Sequence, residues 1–203
     1  TKLNLLLLAE YIGLNNGSLS QEEFNQNLKE IRSTLNLFAI AYKRAIGWVE
    51  NNKESLAKAD NIRIVGPDAE YGDTLESALK LLETCRVPVT GYEFNEFIHG
   101  IYNAIDEKST VFFIDNGEEP RITKMVDVLS QWTERLYVIN LREDNNEHNF
   151  GYNVKVTKDM QTFIFPIVFQ LMASILPELK NIDPSQPKDP KFHMELGSKK
   201  FNH

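Results

Sequence analysis

The clearest chemical potential in this sequence lies in three charged residues on one helical segment and a histidine that follows it. In Gly72-Asp-Thr-Leu-Glu-Ser-Ala-Leu-Lys-Leu-Leu-Glu83, Glu76, Lys80 and Glu83 fall at i, i+4 and i+7 and project from one face, with Glu76 placed to pair with Lys80. The apolar Leu75, Ala78, Leu79 and Leu82 repeat at helical spacing and predict one buried stripe on the other side. Sixteen residues beyond Glu83 comes His99, in Tyr92-Glu-Phe-Asn-Glu-Phe-Ile-His99-Gly100, where a glycine after the histidine lets the backbone approach a ligand closely. A carboxylate and an imidazole brought together there would form a general acid/base pair.

Other reactive side chains fit structural roles. Glu96, three residues before His99, is expected to fix the loop that carries the histidine. Read as metal ligands the two stand alone, because His148, His193 and His203 do not repeat the spacing, and no metal is expected. Cys85, the single cysteine, sits at a helix end beside Arg86 without a base to activate it, so it reads as filler.

The elements that must position these residues follow from periodicity. Residues 2–14, 21–35 and 37–56 read as three helices, with Asn15-Asn16-Gly17 as a stop signal and Ser20/Glu23 as a capping box. From residue 61 short apolar runs, Ile62–Val65, Thr110–Ile114 and Leu136–Leu141, alternate with helical segments at Thr74–Thr84 and Glu118–Glu134. That alternation predicts an α/β fold with a parallel sheet covered on both faces in three layers. Asn153–Val156 suggests a further short strand and Phe163–Leu179 an apolar helix against the sheet. The tail from Asn181, with Pro184, Pro187 and Pro190, is expected to be extended.

At 203 residues the chain can bury a sizeable core. With 22 Lys+Arg against 29 Asp+Glu the net charge is -7, and no segment concentrates basic residues as a nucleic-acid surface would. The longest apolar run, Leu3 to Ile12, is too short to span a bilayer. One cysteine favours a reducing compartment, and a cytoplasmic protein is expected.

Taken in order, Ile64-Val-Gly66, the segment Leu75-Glu-Ser-Ala-Leu-Lys-Leu-Leu-Glu83 and Glu96-Phe-Ile-His-Gly100 resemble the second half of a double SIS (sugar isomerase) protein. That group includes fructosamine-6-phosphate deglycases and the isomerase domain of glucosamine-6-phosphate synthase. The resemblance covers residues 61–180, and Thr1-Lys-Leu-Asn-Leu-Leu-Leu-Leu resembles the helix that closes the first half. It implies that Glu83 moves a proton between sugar carbons 1 and 2, that His99 assists ring opening and proton relay, and that Lys80, Gly100 and Lys199 contact substrate. It implies no metal or redox cofactor and a phosphorylated ketosugar or its amino-acid adduct as ligand. A homodimer is expected because the apolar helices at 2–14 and 163–179 offer more hydrophobic surface than one half-protein covers.

The sequence departs from that pattern in two places. The Ser-x-Ser-Gly-x-Thr turn that cradles phosphate is absent, and Gly66-Pro-Asp-Ala-Glu-Tyr-Gly72 is acidic in its place. The ending Gly197-Ser-Lys199 and the His99-Gly100-Ile101 step look like the deglycase type. The domains expected are therefore a helical region at 1–57 closing a first SIS half not contained here, a second SIS subdomain at 58–180 and a tail at 181–203. The expected activity is cleavage of a 6-phosphofructosyl amine. Ketose/aldose phosphosugar isomerisation, the isomerase part of an aminotransferase, and a non-catalytic sugar-phosphate sensor are the alternatives.

Overall fold

A computed structural model describes residues 1–198. Helix α1 (Lys2–Asn15) turns through Gly17, whose φ of +78° a glycine adopts without strain, into α2 (Gln21–Leu56). The predicted capping box forms: Ser20 Oγ accepts from the Glu23 amide at 3.2 Å and Glu23 Oε2 accepts from the Ser20 amide at 2.8 Å. The break expected near residue 36 does not occur, and α2 runs unbroken for 36 residues. Leu35-Asn36-Leu37 contains neither glycine nor proline, and one asparagine costs a helix only about 0.7 kcal/mol. The second half of α2 is anchored through Ala41, Ala45, Trp48, Val49 and Leu56, with Trp48 Nε1 donating to the Asn146 carbonyl at 2.8 Å.

Five parallel strands form one sheet in the order β2-β1-β3-β4-β5: β1 (Ile62–Gly66), β2 (Val89–Glu93), β3 (Thr110–Asp115), β4 (Leu136–Asn140) and β5 (Asn149–Gly151). The central strands alternate between two cores. Ile62, Ile64, Phe112 and Ile114 face a layer made by α2, α3 (Tyr71–Cys85) and α6 (Pro166–Leu179). Val65, Val111 and Phe113 face α4 (Phe94–Ile98) and α5 (Arg121–Leu129). Phe112 and Phe113 are both fully buried, and truncating either to alanine costs about 3–5 kcal/mol. The three-layer α/β expectation is met.

Two strand expectations change. The edge strand β2, Val-Thr-Gly-Tyr-Glu, has a glycine at its centre and no apolar run, so its sequence gives no strand signal. The last strand is Asn149–Gly151 rather than Asn153–Val156, because Asn153 takes a φ of +51° that ends the extended run. Helix α5 spans nine residues, not Glu118–Glu134. Pro120 keeps the preceding residues out of the helix, and the chain turns after Ser130.

Residues Lys158–Phe163 wind as a 3-10 turn before Pro166, which occupies the first turn of α6. The Lys158–Leu179 segment is long and apolar enough by composition to cross a membrane, yet α6 is largely buried against α2, α3 and the sheet. The tail, expected to be extended, instead runs through a series of turns and one helical turn, α7 (Phe192–Glu195).

Candidate active site

Helix α3 carries the chemistry, and its rotation differs from the periodic expectation. Leu75, Leu79 and Leu82 are each 45% exposed, while Thr74, Ser77, Ala78, Leu81 and Cys85 face inward. The cause is proximity. A Cβ on Gly91 of β2 would lie 2.7 Å from the Thr74 carbonyl group, so the helix and strand backbones are nearly in contact. Beside that contact Thr74, Ser77 and Ala78 face inward, Leu81 packs further along the helix, and Leu75, Leu79 and Leu82 are turned out.

The same rotation places Glu76, Lys80 and Glu83 on accessible surface. Lys80 Nζ lies 3.3 Å from Glu83 Oε2 and 3.9 Å from Glu76 Oε1, with all three side chains partly exposed. Exposed pairs of this kind contribute at most about 1 kcal/mol, so the cluster is not what holds the helix in place. It leaves Glu83 as a carboxylate in reach of a ligand with an ammonium beside it. Cys85 is buried and burial pushes its thiol pKa up, in agreement with an inert role.

His99 closes α4 at its C-terminal end and is exposed. The residue that fixes this loop is Glu93, not Glu96. Glu93 is the N-cap, its carboxylate accepting from the amides of Asn95 at 2.7 Å and Glu96 at 3.0 Å, whereas the Glu96 side chain is exposed. Glutamate is an uncommon N-cap, so Glu93 carries no capping signal by residue type. Gly100 has a φ of +150°, a conformation strained for any other residue, so the His99-Gly100 step is shaped by the glycine.

Glu83 and His99 do not meet. Helix α3 begins at the carboxyl edge of the sheet and runs back, so Glu83 stands near the amino edge, about 18 Å along the helix from Tyr71. Strand β2 then returns to the carboxyl edge before α4 delivers His99. The two side chains lie at opposite ends of one strand, separated along it by roughly 15 Å. Lys199 lies outside the described residues.

The carboxyl ends of β1 and β3, where the strand order reverses, form the crevice in which such sheets hold ligands. Here it is acidic. Pro67 supplies no amide, Glu70 is buried with Oε2 accepting from Asn116 Nδ2 at 2.7 Å, and burial with the nearby Asp73 charge lifts its pKa to about 7. The surrounding cations are engaged: Lys158 with Glu118 at 2.8 Å, Arg142 with Asp115 at 2.6 Å, and Lys2 with Asp73 at 2.6 Å. These contacts fit the absence of a phosphate-cradling turn, and neither Glu70 nor Asp73 stood out in the sequence, where they read as ordinary turn and helix-start acids.

No family model matches the chain. The chain is 29% identical over 196 residues to a glutamine–fructose-6-phosphate aminotransferase (isomerizing) of Zymomonas mobilis, covering 91% of this chain and 32% of the relative. A candidate phosphosugar isomerase from Clostridium difficile 630 superposes with a TM-score of 0.93 at 50% identity, over 99% of this chain and 57% of that one. A candidate sugar-binding protein from Salmonella typhimurium LT2 gives 0.79 at 34% identity, over 86% and 55%. The chain thus has the SIS fold, and its counterpart in the aminotransferases is their isomerase domain. It spans about a third of the length of those curated relatives and little more than half of the structural ones.

Proposed function

We propose that this SIS-fold chain is the catalytic second half of a phosphosugar-processing enzyme, with Glu83 as the base that takes a proton from a sugar carbon. The supporting observation is that Glu83 is presented half-exposed, with Lys80 at 3.3 Å, on a helix face that carries uncovered leucines. A solvated surface helix does not need Leu75, Leu79 and Leu82 turned outward. A helix that closes a substrate cleft against another domain does, and in this reading the helical region 1–57 and that face receive the half that supplies the phosphate site.

Within this class the preferred reaction is cleavage of a 6-phosphofructosyl amine. Glu83 removes a proton from C1, giving the enolamine. Reprotonation at C2 then yields the aldose imine, and water releases glucose 6-phosphate and the free amine. His99 moves protons at oxygen during ring opening. Because Glu83 and His99 of one chain lie at opposite ends of β2, the histidine that completes a site comes from a second copy. Lys80 orients Glu83, Gly100 brings its backbone to the sugar, and Lys199 reaches the ligand from the tail. No metal or redox group enters these steps. The setting is cytoplasmic.

The test is proton NMR in D2O of the complete parent protein, incubated with fructose 6-phosphate and, separately, with a 6-phosphofructosyl amino acid. Release of glucose 6-phosphate and amino acid is expected. Exchange and aldose formation from fructose 6-phosphate alone would replace the deglycase with an isomerase, and saturable binding without either would replace it with a sensor.

A further inference from the structure

The chain contains two asparagine-glycine steps, Asn16-Gly17 and Asn116-Gly117, and the fold treats them differently. The side-chain carbonyl of an asparagine is open to attack by the next main-chain nitrogen when glycine follows, because glycine has no side chain to block the approach. Both glycines take positive φ, +78° at Gly17 and +85° at Gly117, and a methyl group on either would meet nothing within 4 Å. The difference lies in how each asparagine is held.

Asn116 is fastened at both ends of its amide. Nδ2 donates to Oε2 of the buried Glu70 at 2.7 Å, Oδ1 accepts from the Glu118 amide at 2.9 Å, and the Gly117 nitrogen donates to Asp115 Oδ1 at 2.9 Å. The carboxylates of Asp115 and Glu118 beside it also oppose ionisation of the Gly117 amide. Asn16 instead caps α1 in the turn to α2, where residues 15–18 are all exposed. Its Oδ1 accepts from the Ser18 amide at 3.0 Å and its Nδ2 has no partner among the described residues, while the Gly17 nitrogen reaches the Leu14 carbonyl at a long 3.3 Å. No charged residue lies between Tyr11 and Gln21. Residues 15–18 carry no apolar side chain, so the turn offers no hydrophobic surface for a further domain or a second copy to cover.

We propose that Asn16 is a site of spontaneous covalent modification and that Asn116 is protected from it. The Gly17 nitrogen gives its proton to water and bonds to Cγ of Asn16. The bond from Cγ to Nδ2 then breaks, the departing amide takes up a proton, and ammonia leaves. Water opens the resulting succinimide ring on either side, giving aspartate or isoaspartate. One water is consumed and one ammonia released, with no oxidant or other reactant. Either product puts a negative charge at the C-terminal end of α1, where the helix dipole opposes it, and isoaspartate also adds a carbon to the main chain. The bond from the Leu19 amide to the Gly13 carbonyl, 3.0 Å across this turn, loses its geometry, and α1 loosens from α2. None of this depends on the catalytic reading.

The test is peptide mapping by mass spectrometry of the complete parent protein incubated at mildly alkaline pH, with a free peptide of residues 12–21 as the unstructured reference and Asn16→Gln as the blocked variant. Asn16 is expected to convert within about tenfold of the peptide's rate, and Asn116 at least about tenfold more slowly than Asn16, because two side-chain hydrogen bonds must break first. The rate rises about tenfold per pH unit, since the amide attacks as its anion. Hydrogen exchange in residues 2–15 speeds up in the incubated protein and not in incubated Asn16→Gln. An Asn16 still intact when the free peptide has fully converted, or an Asn116 that converts as fast as Asn16, would overturn the proposal. Conversion without faster exchange would overturn the loosening of the hairpin.

Discussion

The ammonium of Lys2 lies 2.6 Å from Oδ1 of Asp73, a carboxylate only 3% exposed and 71 residues away in the chain. Thr162 completes the contact, its hydroxyl donating to the same oxygen at 2.8 Å while its carbonyl accepts from Lys2 at 3.1 Å. One contact thus fastens the first turn of α1 to both α3 and the turn before α6. Lys2→Met should cost about 1–3 kcal/mol, less than for a fully buried pair because the lysine is half-exposed. Melting should fall by roughly 3–8 °C. In an Asp73→Asn background the same substitution should change little, and an equal loss there would show that Asp73 is not the partner that matters.

Glu70 makes the opposite kind of prediction. Its folded pKa of about 7 lies above that of a free carboxyl group, so the folded state holds a proton that the unfolded chain has released between about pH 4.5 and 7. Stability from this group is therefore present at low pH and lost as pH rises through 7. Glu70→Gln keeps an acceptor for Asn116 and removes the charge. It should be more stable than wild type at pH 8 by about 3 kcal/mol, with the difference vanishing below about pH 4. Denaturant melts of both proteins across that range would read it, and a pH-independent difference would refute the assignment.

Gly91 sets the distance between β2 and α3. A methyl group there would sit 2.7 Å from backbone atoms of Thr74 and 2.9 Å from the Leu75 amide nitrogen, and neither can swing aside. Gly91→Ala should destabilise by about 1–3 kcal/mol. It should also lower any activity that depends on Glu83, since α3 must lift off the strand. Unchanged melting would mean that the seam has slack.

For the chemistry, Glu83→Gln in the complete parent protein should lower turnover by about two to four orders of magnitude while sugar-phosphate affinity stays close to wild type. Mixing that variant with His99→Asn should recover part of the activity if each site draws its base and its histidine from different chains. Additive loss without recovery would place both residues of a site in one chain.

Much of the fold was legible because β1, β3 and β4 are near-continuous apolar runs, and a buried parallel strand needs little else. Strand β2 was not, since it lies at the sheet edge and takes its place from backbone pairing with β1 and from Gly91, not from apolar side chains. The rotation of α3 was misread for a related reason. Periodicity counts leucine as inward-seeking, whereas the tight seam selects for size and admits Thr74, Ser77 and Ala78. For the site, the spacing of Glu76, Lys80 and Glu83 carried through to ion pairs, but no local pattern tells which edge of the sheet a residue reaches. The separation of Glu83 from His99 is a property of the β1-α3-β2 crossover, visible only once the strand order is known.

The uninterrupted α2 gives the molecule a beam with two unequal bearings. Its second half is clamped by the sheet layer, while its first half is steadied chiefly by α1 through Phe24, Ile31 and the Tyr11–Phe24 ring contact, and α1 itself buries no residue. About 54 Å of rigid helix therefore links a firmly held end to a loosely held one. Amide protons along this single helix should exchange with solvent on a gradient, slowest near Ala45–Val49 and faster by orders of magnitude before residue 30, because opening the hairpin breaks few apolar contacts while opening the clamp means unfolding the core.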